Sequence, residues 1–306
     1  PARIGDYTDF YSSKNHAYNL GVMFRGKENA LQPNWLWLPV GYHGRASSVV
    51  VSGTNIHRPR GQVLPAPDAK EPVFKASGKF DFELEMAHFI GGGGNHLGHP
   101  IDVNSADDKI FGLVLMNDWS ARDIQNWEYV PLGPFLAKNL GTIISPWIVT
   151  LQALERFKVD LPPMERPVPQ YLQDKHHTSY DIKLQVFLKT EKLEAEHLLA
   201  TSNFKYMYWT MAQQVAHHTI TGCNMQTGDL LGSGTISGTE PHEFGSLIEL
   251  TQNGKEKIKL PNGEERAFLE DGDCIIMKGY AEKDGVRVGF GECRSALLAP
   301  IPEKTA

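Results

Sequence analysis

Asp81, Glu83 and Glu85 stand two apart in KFDFELEMAHFI, the segment from Lys79 to Ile90. On a β-strand, residues two apart share a face, so these carboxylates would form a row, whereas on a helix they would diverge. What the row does depends on where that face points. Against bulk water its repulsion costs little and it is a solvated edge. In an enclosed site one acid must take a proton, or a cation must sit among them. Hard carboxylate oxygens without His or Cys alongside select Mg²⁺ or Ca²⁺ over zinc or copper. His43, His96, His99, His217 and His218 offer no HExxH or comparable spacing and read as surface or core histidines.

Asp118 is the second candidate. It follows the apolar run Ile110 to Met116 and precedes a helix-compatible stretch, Ser120 to Trp127, in which Ser120 and Asp123 offer a capping signal. Two readings fit: a functional acid on a rigid frame, or an acid favoured by the dipole at a helix start. Arg122 and Gln125, three apart, share a helix face turned toward Asp118, where a cation, a guanidinium and an amide could converge. GSGTISG, Gly232 to Gly238, has neither the Lys-Ser/Thr of a P-loop nor GxGxxG spacing, and suggests a tight turn exposing backbone amides and Thr235.

The elements that must position these groups are mostly strands. Phe80, Phe82, Leu84 and Met86 alternate with the acids, which predicts a strand over Lys79–Ile90, and Ile110–Met116 suits a strand buried on both faces. Leu36–Val40 and Ser47–Ser52 read as strands flanking a Gly41–Gly44 turn. Ser202 to His218 reads as the longest helix, with Ser202 as its N-cap. Asn253-Gly254 and Asn262-Gly263 divide Leu247–Gln252, Lys255–Leu260 and Glu265–Leu269 into a meander, and Cys274–Tyr280 with Val286–Glu292 forms a hairpin across Lys283-Asp284-Gly285.

Composition narrows the class. The chain of 306 residues is 41% hydrophobic, enough for a sizeable core, with 29 glycines and 19 prolines, above the combined share of about 12% in an average chain. That abundance of turns favours a β-rich fold in one domain. Thirty basic against 36 acidic residues give a formal charge of −6 without a long single-sign run, which points away from nucleic acid. No apolar run approaches a membrane span, and the N-terminal segment lacks a signal-peptide core. Cys223, Cys274 and Cys293 form no CxxC pair and fit a reducing compartment, so the expected location is cytoplasmic.

Taken together, IGDYTDFYSSKNHA, NWLWLPVGYHGRASSVVVSG, DFELEMA, LMNDWSARDIQNWEYVPLGPFLAKN, SNFKYMYWTM and GDLLGSGTISG resemble the fumarylacetoacetate hydrolase family of the animal type, from Arg3 nearly to the C-terminus. The resemblance implies a β-rich α+β fold, a mixed β-sheet roll or sandwich with few helices. Residues 1–306 would be the catalytic domain, without the family's small N-terminal domain, and the assembly a homodimer. It implies a divalent metal, Mg²⁺ or Ca²⁺, on Asp9, Glu83, Glu85 and Asp118, with a further cation near Lys138 and Thr142. It assigns the proton-abstracting base to His16, its orienting acid to Glu249, and the polar groups around the attacked carbonyl to Arg122, Gln125 and Lys138. Tyr11, Arg25, Tyr42, Gln125, Tyr129 and Thr235 would contact a small β-diketone acid, cleaved to fumarate and acetoacetate as the last step of tyrosine breakdown. Two alternatives stay open: a related hydrolase or decarboxylase of the acylpyruvate type, and a non-catalytic Ca²⁺-binding β-domain, which would have no use for His16 and Glu249.

Overall fold

In the computed structural model, which describes residues 2–302, the alternating segment is interior on both faces. Phe80, Phe82 and Leu84 are fully buried on one side, and on the other Asp81 and Glu85 are fully buried and Glu83 is 5% exposed. The period-2 prediction holds with one interruption. Phe80–Asp81 pairs with Ser120–Ala121, the chain breaks step at Phe82, and Leu84–Ile90 continues into a larger sheet. The solvated-edge reading is therefore wrong, since the acidic face is enclosed.

That larger sheet has eight strands. Its path runs Gly41–Gly44, Tyr7–Phe10, Leu230–Gly232, Leu84–Ile90, Ile110–Asp118, Thr142–Ile144 and Val49–Val51, with Val149–Thr150 also pairing to Ile110–Asp118. It is mixed: Tyr7–Phe10 runs parallel to Leu230–Gly232, and Thr142–Ile144 to Val49–Val51. Register lines up the acids. Asp9 lies opposite Gly232, Gly232 opposite Ala87, and Asp118 opposite Thr142, so Asp9, Glu85 and Asp118 rise from nearby strands. A five-stranded sheet, ordered His197–Asn203, Lys183–Lys189, Cys274–Lys283, Val286–Leu298 and Ile56–His57, covers the opposite face. Leu115 and Leu184 meet at Gly279, where an added Cβ would lie 2.8 Å from the Leu115 side chain. Burial of such apolar faces from both sheets is the main driving force of the fold.

Among the described residues, five short α-helices decorate this frame: α1 (Lys14–Arg25), α2 (Arg122–Glu128), α3 (Leu151–Leu154), α4 (Met211–Thr219) and α5 (Leu247–Leu250). Several sequence expectations give way here. The helix expected from Ser202 starts at Met211, because His197–Asn203 is committed to a sheet and the N-cap Thr210 with Gln213 makes a capping box that satisfies two otherwise orphan amides. The expected Ser120 cap is absent: Ala121 occupies the N-cap of α2, and the Ser120 hydroxyl donates to the Asp118 carbonyl at 3.0 Å. Gly41–Gly44 is a strand rather than a turn, its glycine needed where an added Cβ at Gly44 would come within 2.2 Å of the Tyr7 ring. The preceding Leu36–Val40 lies outside the strands, as Pro39 lacks a ladder donor. Leu247–Gln252 is helical at its start, leaving only Ile258–Lys259 and Glu265–Arg266 of the expected meander. The final hairpin forms as expected and extends over Cys274–Lys283 and Val286–Leu298.

A buried carboxylate cluster beside a histidine–glutamate pair

Side-chain oxygens of Asp9, Glu83, Glu85 and Asp118 all lie within 4.8 Å of one another, the one such cluster among the described residues. All four residues are buried. Lys138 donates to Glu83 and, at 2.6 Å, to Asp118, while Arg122 reaches Glu83 at 2.6 Å. Thr142 and Tyr42 hydroxyls donate to Asp118 at 3.1 and 3.2 Å. Four carboxylates thus face two cationic side chains, and Arg122 is shared further with Asp81. The imbalance appears in the acidities. Burial, reinforced by the neighbouring Asp118 charge, pushes Asp9 well above the ordinary carboxylate range. Burial and the charges of Asp9 and Asp118 do the same to Glu85. Glu83 is the exception: burial opposes its ionisation, but the Lys138 and Arg122 charges outweigh burial and hold it low.

These residues fit a divalent cation by three observations. Asp9 Oδ1 and Glu85 Oε1 are buried without a hydrogen-bond partner, at a cost a bound cation would remove. Gly232 leaves space between them, where an added Cβ would sit 2.6 Å from Asp9 Oδ1 and 3.2 Å from Glu85 Oε2. The donor set is oxygen only, the preference of hard cations. Lys138 is thereby placed as a counter-charge to the cluster through its ammonium, and Thr142 as a hydroxyl donor to Asp118.

Asp81 departs from the row. Its carboxylate accepts from Arg122 Nε at 2.8 Å and from the Leu247 and Ile248 amides at 2.7 and 3.1 Å. It lies on the far side of the break in strand pairing at Phe82 and is not among the clustered acids.

Across the pocket, His16 on α1 and Glu249 on α5 meet at 2.7 Å, Nδ1 to Oε2, both buried. The Glu249 carboxylate also accepts from Ser246 at 2.7 Å and from Ser237 and Asn19 at 2.9 Å. Burial alone would raise its pKa, but the His16 charge and these donors hold it below the ordinary value. An ionised carboxylate only accepts, so in the neutral imidazole Nδ1 carries the hydrogen and Nε2 is a free base. The Tyr11 ring packs edge-on to His16 at 5.3 Å.

A cavity of about 700 Å³ joins the two halves. Asp9, Glu83 and Glu85 line it with His16, Arg122 and Lys138, and so do Tyr11, Arg25, Tyr42, Gln125, Tyr129 and Thr235. Arg122 Nη1 donates to Gln125 at 3.3 Å, and its Nη2 is buried with no partner. GSGTISG supplies the tight turn expected of it: Gly234 adopts φ +78° and its amide donates to Glu85 at 3.0 Å. Asn19, Ser237, Ser246 and Glu128 were not anticipated. Glu128 accepts from the amides of Phe135, Leu136 and Ala137, which sets the turn leading into Lys138. Ser246 and Glu249 do carry a sequence signal, S-x-x-E, the signature of a helix start.

Residues 7–297 match the family model for the fumarylacetoacetate hydrolase C-terminal domain. The chain is 60% identical over 302 residues to fumarylacetoacetase of Bos taurus and 59% identical over 302 residues to that of Homo sapiens, covering 98% of this chain and 71% of each relative. Its fold resembles that of fumarylpyruvate hydrolase from Pseudomonas aeruginosa, solved in complex with Mn²⁺ and pyruvate, with a TM-score of 0.53 at 17% identity over 97% of this chain and 90% of that one. With a family match across nearly its whole length and relatives this similar, the chain belongs to the fumarylacetoacetate hydrolase family.

Proposed function

We propose that this protein is a metal-dependent fumarylacetoacetase, hydrolysing the carbon–carbon bond of 4-fumarylacetoacetate to fumarate and acetoacetate, the closing step of tyrosine catabolism. The observation that carries the reading is the meeting of His16 and Glu249 at 2.7 Å across one cavity from four clustered carboxylates. A cation-binding domain without catalysis has no need of that buried pair.

Asp9, Glu83, Glu85 and Asp118 would hold Mg²⁺ or Ca²⁺, which when bound supplies Lewis acidity and a template for the diketone oxygens. His16 Nε2 takes a proton from water placed near the carbonyl carbon, and Glu249 stabilises the imidazolium that results. Hydroxide adds to that carbon. Arg122 offers its unpartnered Nη2 and, with Gln125 and Lys138, offsets the developing alkoxide, a role in which one donor is typically worth about 3 to 4 kcal/mol. Collapse of the tetrahedral adduct breaks the carbon–carbon bond, the electron pair leaves as the acetoacetate enolate, and a proton completes the second product. Tyr11, Arg25, Tyr42, Tyr129 and Thr235 would orient the two carboxylate-bearing ends. Residues 1–306 act in this reading as the catalytic unit of a homodimer, in which a second copy covers the exposed Leu132, Phe135 and Leu136. The three unpaired thiols suit the cytoplasm, and among the described residues no helix is long and apolar enough to cross a membrane.

Steady-state assay with fumarylacetoacetate tests the reading, with acylpyruvate as the competing substrate. The wild type should prefer fumarylacetoacetate, and His16→Ala should lose about 10²- to 10⁴-fold in kcat with metal affinity nearly intact. Turnover of acylpyruvate alone, or an undiminished His16→Ala enzyme, would overturn it.

A further inference from the structure

Asp81 is a fully buried carboxylate that neither belongs to the cluster nor lines the cavity, yet it touches an element from each half of the site. On one side, Arg122 Nε donates to its Oδ2 at 2.8 Å, and the same guanidinium reaches Glu83 at 2.6 Å. On the other, the Leu247 amide donates to Oδ1 at 2.7 Å and the Ile248 amide to Oδ2 at 3.1 Å, and these are the first two residues of α5, the turn that carries Glu249.

The residue that would ordinarily serve those amides is elsewhere. Ser246 is the N-cap of α5, but it makes no side-chain cap bond, and its hydroxyl donates to Glu249 at 2.7 Å. A strand more than 160 residues earlier in the chain supplies the cap in its place. Glu83, two residues after Asp81, makes an isolated bridge to Ser246, so α5 is pinned to this strand by main chain and side chain together.

We propose that Asp81 is a positioning residue for the reaction, resting on the reading of His16 and Glu249 given above: one carboxylate sets both the Arg122 guanidinium and the helix turn that aims Glu249 at His16. Only a carboxylate fits, because all three partners are donors. An amide in its place turns its NH₂ toward Arg122 and Ile248, or flipped, toward Leu247; either way donor meets donor. The base pair and the guanidinium then lose their common reference, and misplacement of about 1 Å in such an arrangement costs on the order of 10²-fold in rate.

Asp81→Asn, compared with wild type and His16→Ala in the same chain, tests the proposal by three readouts. Expected are a fall in kcat on the order of 10- to 100-fold at little change in KM, Mg²⁺ or Ca²⁺ affinity within about threefold of wild type, and a displaced or broadened downfield Nδ1–H proton resonance of His16. That resonance needs no substrate, so it reports on Asp81 even if the proposed reaction is wrong. A wild type without turnover, or an active His16→Ala, sinks the functional reading alone. An unchanged His16 resonance with near wild-type kcat sinks the role of Asp81 alone, and so does a loss fully restored by saturating metal, which would make Asp81 a support of the carboxylate cluster. Asp81→Ser, small enough to admit bridging water, gives a second variant with the same expectations. If neither variant folds, Asp81 is a structural residue and the proposal fails.

Discussion

Replacing Glu249 by glutamine changes one oxygen to an amide nitrogen and leaves the side chain's shape intact. The wild-type carboxylate accepts from four side chains, His16, Asn19, Ser237 and Ser246, at 2.7 to 2.9 Å. Glutamine has one acceptor oxygen. With that oxygen kept toward His16 and Ser246, the NH₂ group meets the Asn19 amide donor, and the imidazolium formed in the reaction loses its counter-charge. With the amide reversed, NH₂ faces Nδ1, the imidazole must carry its hydrogen on Nε2, and the base is lost. Both outcomes remove the contribution of a positioned base, about 10²- to 10⁴-fold, or roughly 3 to 5 kcal/mol of barrier. Metal affinity should stay near wild type, since Glu249 is outside the cluster. The variant also changes stability in a pH-dependent way. Because the folded protein holds the Glu249 pKa below its ordinary value, its ionisation stabilises the fold above the ordinary carboxylate range, and that gain is lost as pH falls through the depressed value. Wild type should therefore exceed Glu249→Gln in stability at neutral pH, with the gap closing in acid. Steady-state kinetics at saturating metal, with denaturant melts at several pH values, measure both effects. A kcat within about threefold of wild type would refute the assignment of Glu249.

Exhaustive chelation should abolish turnover, with Mg²⁺ or Ca²⁺ restoring it; full activity in metal-free protein would exclude a metal role. Because the pKa values of Asp9 and Glu85 are raised in the metal-free fold, their contribution to its stability is present below the ordinary carboxylate range and lost as pH rises through the raised values. The Tm advantage of loaded over chelated protein should accordingly widen with pH, and loading should release protons, which calorimetry in buffers of different ionisation enthalpy detects. Gly232→Ala places a methyl group against Asp9 and Glu85 and should weaken metal binding at least tenfold, while circular dichroism remains that of the wild type. Equal affinity in the two proteins would show that the cation sits elsewhere.

That Glu83 and Glu85 share a face is legible because strand periodicity is local: two residues decide which way a side chain points, and Phe82 and Leu84 declare the apolar face; that Asp81 stands apart from them is not. Whether the acidic face was wet or enclosed was not legible, since the answer lies in strands from residues 7 to 232. The quartet with Asp9 and Asp118 came from resemblance and not from spacing, as parallel pairing of Tyr7–Phe10 with Leu230–Gly232 leaves no short-range trace. Glu249 was the hardest. Its segment reads as a strand in a meander, and two amides of the helix turn that forms instead donate to the Asp81 carboxylate, far away in sequence. Ser202 misled in the opposite sense, a good cap residue already committed to sheet pairing. The hairpin at Asp284-Gly285 is legible because both residues adopt positive φ, a demand met within the turn itself.

The pairing of His16 with Glu249 spans 233 positions of the chain. Contacts of such separation carry a high loop-closure cost, and folds dominated by them assemble slowly. In the proposed mechanism turnover is thus a property of the finished fold: a chain that has formed α1 to α4 but not α5 leaves His16 without its partner. In a refolding experiment, recovered activity would lag behind circular dichroism and tryptophan burial, so the enzyme serves as its own proofreader, silent until α1 and α5 have found each other.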